Sequence, residues 1–179
     1  MKSLVARICN NFLYVLLFIF SQSGFCTELV TPTNTVVGFY KALLNSDTEK
    51  MSEVIEEYVS GNLLKSIQDS TICNYDTVIS ASDGETEKIC SAKRECKEYK
   101  GNYICDWYGI GIETDVNYFT KSQDTYPSWR GSIKTSIVKQ EEYESVIAVV
   151  LGEGEEVTSP LTVSLEKIDG QWKIKSVTD

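Results

Sequence analysis

The apolar positions of the chain fall into two regimes. From Thr31 to Ile67 they repeat at helical spacing, and after Tyr103 they become strand-like. Val36, Phe39, Tyr40, Leu43 and Leu44 recur at intervals of three and four, which makes one apolar helix face. Thr31-Pro32 opens that helix, with Thr as N-cap and Pro at the first helical position. Ser46-Asp47-Thr48-Glu49 contains a capping-box pattern from Ser46 to Glu49. Met51, Val54, Ile55 and Tyr58 then repeat the helical spacing, and a third, short helix is predicted around Leu63, Leu64 and Ile67. Asn74 to Lys88 has no strong period, and Ser82-Asp83-Gly84-Glu85 reads as a turn.

The second regime starts with Tyr103–Asp115, read as one strand in which Gly109 and Gly111 mark a bulge or bend. Two strands follow at about Ser132–Lys139 and Tyr143–Leu151, then a loop through Gly152–Glu156. The chain closes on LEKIDGQWKI, a hairpin centred on Asp169-Gly170, because both central positions of the tightest hairpin turn need positive φ. That centre sets Ile168 opposite Gln171, Lys167 opposite Trp172, Glu166 opposite Lys173 and Leu165 opposite Ile174. One sheet face then carries Leu161, Val163, Leu165, Trp172 and Ile174, with the Lys167 stem over Trp172. The other carries Ser164, Glu166, Lys173 and Lys175, with one opposite-charge pair. Helices first and strands later predict an α+β fold, in which N-terminal helices cover one face of a curved antiparallel sheet.

The residues before Thr31 change the picture of where the protein works. Lys2 and Arg7 precede an apolar run from Phe12 to Phe20, after which the chain turns small and polar through Cys26. This is the pattern of a secretory signal peptide over residues 1–26, leaving one domain at 27–179. The apolar run is short for a membrane span. Cleavage after Ser23 is the nearest rival, and bulky Phe25 counts against a lipoprotein site at Cys26. The expected location is the periplasm or the outside of the cell. The full chain has 17 basic and 26 acidic residues and no histidine. Removing the leader takes two of the basic residues and none of the acidic ones, for a balance of −11. Such a surface repels nucleic acid and suits a basic partner.

Four cysteines remain after the leader: Cys73, Cys90, Cys96 and Cys105. In an oxidising compartment they imply two disulfides, of three possible connectivities, stapling a polar region at about residues 68–105. Zinc is disfavoured by the absence of histidine and of a close Cys-x-x-Cys pair. The acidic stretch Glu153, Glu155 and Glu156 lacks the ordered spacing of a calcium loop. No metal or other cofactor is expected. Without histidine there is no Ser-His-Asp triad, Cys-His pair or histidine base. Asp106, Asp115 and Asp124 remain as carboxylates that burial would turn into bases.

The opening Thr-Pro, the Val-x-x-Phe-Tyr-x-x-Leu helix and the closing Asp-Gly-x-Trp-Lys-Ile hairpin resemble the NTF2-like (cystatin-like) superfamily of cone-shaped α+β domains. The segment Tyr118–Trp129 narrows the resemblance to a secreted bacterial family of unknown function. That family has envelope lipoprotein members and related immunity proteins. The similarity covers about residues 31–67 and 113–177 and omits the cysteine region. It implies the cone fold more firmly than any activity.

Tyr118–Trp129 is also the unusual stretch on its own terms. Tyr118, Phe119, Tyr126 and Trp129 are interleaved with Gln123 and Asp124 and followed by Arg130. Such a set serves as an interface anchor, or else its rings close one end of the core. The candidate partner-binding residues are therefore Asp124, Tyr126 and Trp129, with Glu153, Glu155 and Glu156 as a second patch. The reading that follows is a non-enzymatic exported binding protein. Its most concrete form is an inhibitor or immunity protein against an envelope-acting toxin or cell-wall hydrolase, with a basic partner. The alternatives are a small-ligand module using the cone cavity and an aspartate-dependent enzyme in the same cavity.

Overall fold

A computed structural model describes residues 31–74 and 84–179. The leader expected over residues 1–26 lies outside them, as do Ser82 and Asp83 of the turn expected at Ser82–Glu85, while Gly84 and Glu85 begin a helix instead. Helix α1 (Pro32–Asn45) is capped by the Thr31 side chain, which accepts from Asn34 N–H at 3.1 Å. Its predicted apolar face is the buried one: Val36, Phe39, Tyr40, Leu43 and Leu44 all lie in the core. Helix α2 (Thr48–Tyr58) begins one residue later than the capping box predicted. Asp47, not Ser46, is its N-cap and accepts from Lys50 N–H at 3.0 Å. Ser46 instead ends α1, and its hydroxyl donates to Ala42 C=O. Helix α3 (Gly61–Asn74) is longer than the short helix expected. Helix α4 (Gly84–Ser91) was not expected at all.

The strands form two antiparallel sheets. The larger is a four-stranded meander of β4 (Ile133–Gln140), β5 (Glu144–Leu151), β6 (Ser159–Ile168) and β7 (Gln171–Thr178), in that order. The closing hairpin has the register read from the sequence. Ile168 faces Gln171, Lys167 faces Trp172, Glu166 faces Lys173 and Leu165 faces Ile174. Asp169 and Gly170 both take positive φ, and Lys167 Nζ lies 5.6 Å from the Trp172 ring centre. Glu166 and Lys173 face each other but each bonds elsewhere: Ser60 Oγ–H donates to Glu166 at 2.6 Å, and Lys173 donates to Glu57 C=O. A bulge beyond Leu165 adds one residue to β7. The inward side chains therefore run Trp172, Ile174, Val177 rather than strictly every second residue.

The smaller sheet corrects the sequence reading. Tyr103–Asp115 is not one bulged strand. It holds two, β2 (Asn102–Trp107) and β3 (Ile110–Glu113), joined by a tight turn at Tyr108-Gly109. A further strand, β1 (Cys96–Tyr99), pairs with β2 through a turn at Lys100-Gly101. Both turns place both central residues at positive φ, as at Asp169-Gly170. Gly111 sits in regular register opposite Asp106. A Cβ there would approach Ile104 to 2.8 Å, so close packing rather than a bulge requires the glycine.

The four cysteines form two disulfides, Cys73–Cys90 between α3 and α4, and Cys96–Cys105 across β1 and β2. The small sheet docks on α3 through polar contacts. Ser66 Oγ–H donates to Trp107 C=O at 2.7 Å, and Tyr108 Oη–H donates to Asp69 at 2.5 Å. Burial of Asp69 pushes its carboxyl up, but hydrogen bonds from Lys65 and Tyr108 outweigh it and hold the group below its ordinary range. Helix α1 packs on β4, β5 and β7, and α2 and α3 add to the same side. The result is an α+β fold with helices on one face of a curved, open sheet. Between them lie fully buried Phe39, Tyr40, Phe119 and Trp129 with Ile147, Leu165 and Ile174.

Candidate functional site

The two patches named by the sequence are one surface in the structure. A short helix, α5 (Pro127–Gly131), follows Tyr126, with Pro127 at its first position supplying a fixed φ. Trp129 points inward and has no exposed surface. Its indole N–H donates to Val157 C=O at 2.7 Å, which ties α5 to the loop between β5 and β6. Ser128 N–H donates to Glu156 at 3.0 Å, and Ser132 Oγ–H donates to Glu153 at 3.0 Å. Lys134 Nζ lies 3.5 Å from the same Glu153 carboxylate. Ser128, side chain first and backbone N–H second, holds the Glu156 carboxyl below its ordinary value.

Gly152 is where the loop can come so close. Its φ is +90°, and a Cβ on it would meet the Trp129 ring at 2.5 Å. Gly152 N–H also donates to Ser132 C=O at 2.8 Å, which closes the loop against the start of β4. Behind this, residues 117–120 are strapped to the core. Asn117 Oδ1 accepts from Phe119 and Thr120 N–H, Tyr40 Oη–H donates to Phe119 C=O at 2.9 Å, and Ser159 Oγ–H donates to Thr120 C=O at 2.9 Å. Burial drives the Tyr40 hydroxyl far above its ordinary pKa, so it stays a neutral donor at any working pH.

The resulting face is acidic at its rim. Asp124, Glu153, Glu155 and Glu156 are exposed, and Tyr126 is half-buried with its ring 5.4 Å from that of Trp129. Trp129 itself supports this face from beneath, the core-closing role that the aromatic spacing also allowed. An exposed apolar side chain on this loop is Val157, 57% accessible and next in the chain to Glu155 and Glu156. Sequence reasoning passed over Val157, because a lone Val after Glu-Glu carries no periodic signal. It also missed Asp69, although the Lys65–Asp69 spacing of four on a helix was visible.

The candidate bases do not meet in a cavity. Asp106, Asp115 and Asp124 are exposed; Asp106 accepts from Gly109 N–H in a turn, and Asp115 is a positive-φ turn residue. Among the described residues no three of Cys, Asp and Glu converge as a metal site would require. Two open grooves lie among the described residues. One, of about 730 Å³, is lined by Trp107, Arg94 and Lys93, with Asp106 alone of the three candidate bases, and the other, of about 610 Å³, opens where α1 and α2 meet the start of β7, beside Tyr58 and Trp172.

No protein-family model and no curated protein matches the chain. Among solved structures it is similar to a chain of the native type VI effector–immunity complex Tae3–Tai3 from Ralstonia pickettii. That match has 17% identity and a TM-score of 0.50, over 84% of this chain and 95% of that one. The selenomethionine form of the same complex gives 21% identity and a TM-score of 0.49, over 83% and 96%. At these identities the likeness is one of fold: this chain shares its architecture with a protein found in an effector–immunity complex.

Proposed function

We propose that this chain is a non-enzymatic, exported inhibitor of a protein toxin, an immunity protein that holds a basic, envelope-acting effector or cell-wall hydrolase. The observation that carries the reading is the joined surface of α5 and the β5–β6 loop. There exposed Glu153, Glu155 and Glu156 and exposed Val157 share one loop, which is joined to the helix after Tyr126 on a foundation fixed by Trp129 and Gly152. Apolar centre and polar rim are the anatomy of a protein contact, and the acid suits a basic partner. The fold shared with a chain of an effector–immunity complex supports the same reading.

Within this proposal residues 1–26 direct export and are removed. Residues 27–179 form one domain on an NTF2-like scaffold, and the two disulfides form in the periplasm. Asp124, Tyr126, Glu153, Glu155 and Glu156 make the contact, and Trp129 acts by holding them. The test is growth rescue. Any candidate toxin found encoded beside this chain in its source genome is expressed in the periplasm of a sensitive host, with and without this chain. Rescue is expected, and it is expected to fail for the double variant Asp124→Lys, Glu155→Lys, two exposed carboxylates, with an unchanged melt. Rescue no better than that by an unrelated exported acidic protein sinks the proposal.

A further inference from the structure

The two edges of the larger sheet are treated differently. On β7 the outward side is met by Val59, and Ser60 N–H donates to Ile174 C=O at 3.1 Å. On β4, among the described residues, no further strand pairs with the outer side. An edge strand presents a row of backbone N–H and C=O groups ready to pair with another chain. Past Thr135 the side chains of β4 are exposed as well. Ile137, Val138 and Tyr143 are 55%, 64% and 62% accessible, three large apolar residues at one hairpin end. Single exposed apolar residues are ordinary, but a group of them beside an open edge marks a contact surface. Ile137 pairs with buried Ile147, so it lies on the face the helices cover and yet stays exposed, while Val138 is the extra residue of a bulge before Lys139.

Charge flanks this edge at both ends. Glu141, Glu142 and Glu144 lie at the hairpin end, and the Glu153–Glu156 loop lies at the start of β4. Three of these carboxylates are offset by lysines, Glu141 by Lys139, Glu144 by Lys175 and Glu153 by Lys134, which leaves Glu142 in excess at one end and Glu155 and Glu156 at the other. Glu142 has no ion pair among the described residues. Eight residues of strand, at about 3.3 Å each, separate the two acidic ends by about 26 Å.

We propose that β4 captures an extended segment of a basic protein partner as a fifth strand, with cationic side chains at both ends of the segment and apolar ones over Ile137 and Tyr143. Backbone pairing supplies affinity in such strand addition, and the flanking side chains supply choice. A second copy of this chain is the wrong occupant. Antiparallel or parallel, its β4 would bring Glu141–Glu144 or Glu153–Glu156 against carboxylates of the same kind, with the neighbouring lysines already paired. The identity of the partner as a toxin rests on the proposed function; the strand capture does not.

The probe is a synthetic peptide of about nine residues, alternating Val and Thr in the middle with two lysines at each end, matched to the span above. Amide hydrogen exchange is followed on the whole exported chain with and without it. Slower exchange along Ile133–Gln140, with none gained on β7, is expected. Val138→Lys, at an exposed bulge position, is expected to weaken binding about tenfold without changing the melt. Replacing the peptide's lysines by glutamates is expected to abolish it. Slowed exchange confined to the Gly152–Val157 loop overturns the proposal, and so does self-association in sedimentation that Val138→Lys removes. Growth rescue without protection on β4 counts against strand capture alone. Protection on β4 without rescue supports strand capture and counts only against the toxin reading.

Discussion

Trp129→Ala separates a ring that supports the contact from one that makes it. The ring is wholly enclosed and its N–H is spent on Val157 C=O. Burying a tryptophan removes about 200 Å² from water, worth about 5 kcal/mol at about 25 cal/mol per Å². An unfolded chain already hides part of that area, so truncation to Ala is expected to cost about 3–5 kcal/mol, the usual range for a large ring. At a urea slope of about 2 kcal/mol per M the midpoint falls by about 2 M. Trp107 and Trp172 remain as fluorescent reporters of the melt. Trp129→Phe keeps most of the packing and loses the bond to Val157, so its cost is expected to fall clearly below that of the Ala variant. Glu153 and Glu156 would then be held less firmly, and under the proposed function inhibition should weaken in step with the melt. A Trp129→Ala protein with an unchanged midpoint refutes the packing argument. One with a large affinity loss and no stability loss would show that the ring touches the partner directly.

Two further predictions test the frame around the site. Trp172→Ala should cost about 3–5 kcal/mol by cavity formation, whereas Lys175→Ala should stay within about 0.5 kcal/mol, since its pairing with Glu144 is at the surface. Equal costs in urea melts would contradict the hairpin register. Because the Asp69 carboxyl titrates below its ordinary value in the folded protein, its contribution is complete above that ordinary value and disappears as pH falls through the lower, folded one. Melting temperatures taken between about pH 5 and pH 2 should fall more steeply for the native protein than for Asp69→Asn, and parallel curves would remove Asp69 from the account.

The first helix and the last hairpin were legible because each combines a periodic apolar face with local chemistry that enforces it, Thr31-Pro32 in one and Asp169-Gly170 in the other. The small sheet was not. Lys100-Gly101 and Tyr108-Gly109 use the same backbone geometry as Asp169-Gly170, but Lys and Tyr are not the residues that usually announce positive φ. The missed helix α4 carries only a weak apolar stripe and is held by the disulfide from Cys90. At the site, the sequence supplied both halves and could not supply their adjacency. Ser128 and Glu156 are 28 residues apart, and the space that lets them meet is the missing side chain of Gly152.

The bond between Tyr40 and Phe119 spans 79 residues, and that between Ser60 and Glu166 spans 106. Almost everything that α1 needs beneath it is therefore synthesised last. Contacts of this separation carry a large loop-closure cost before they repay it, which slows folding. A growing chain that ends before Ile174 has no β7 to seal against Val59 and leaves β6 as a bare edge. The N-terminal half accordingly has little to hold it in shape until the final strand arrives. Such a chain stays open until its last strand is made and acquires its stability in one late step.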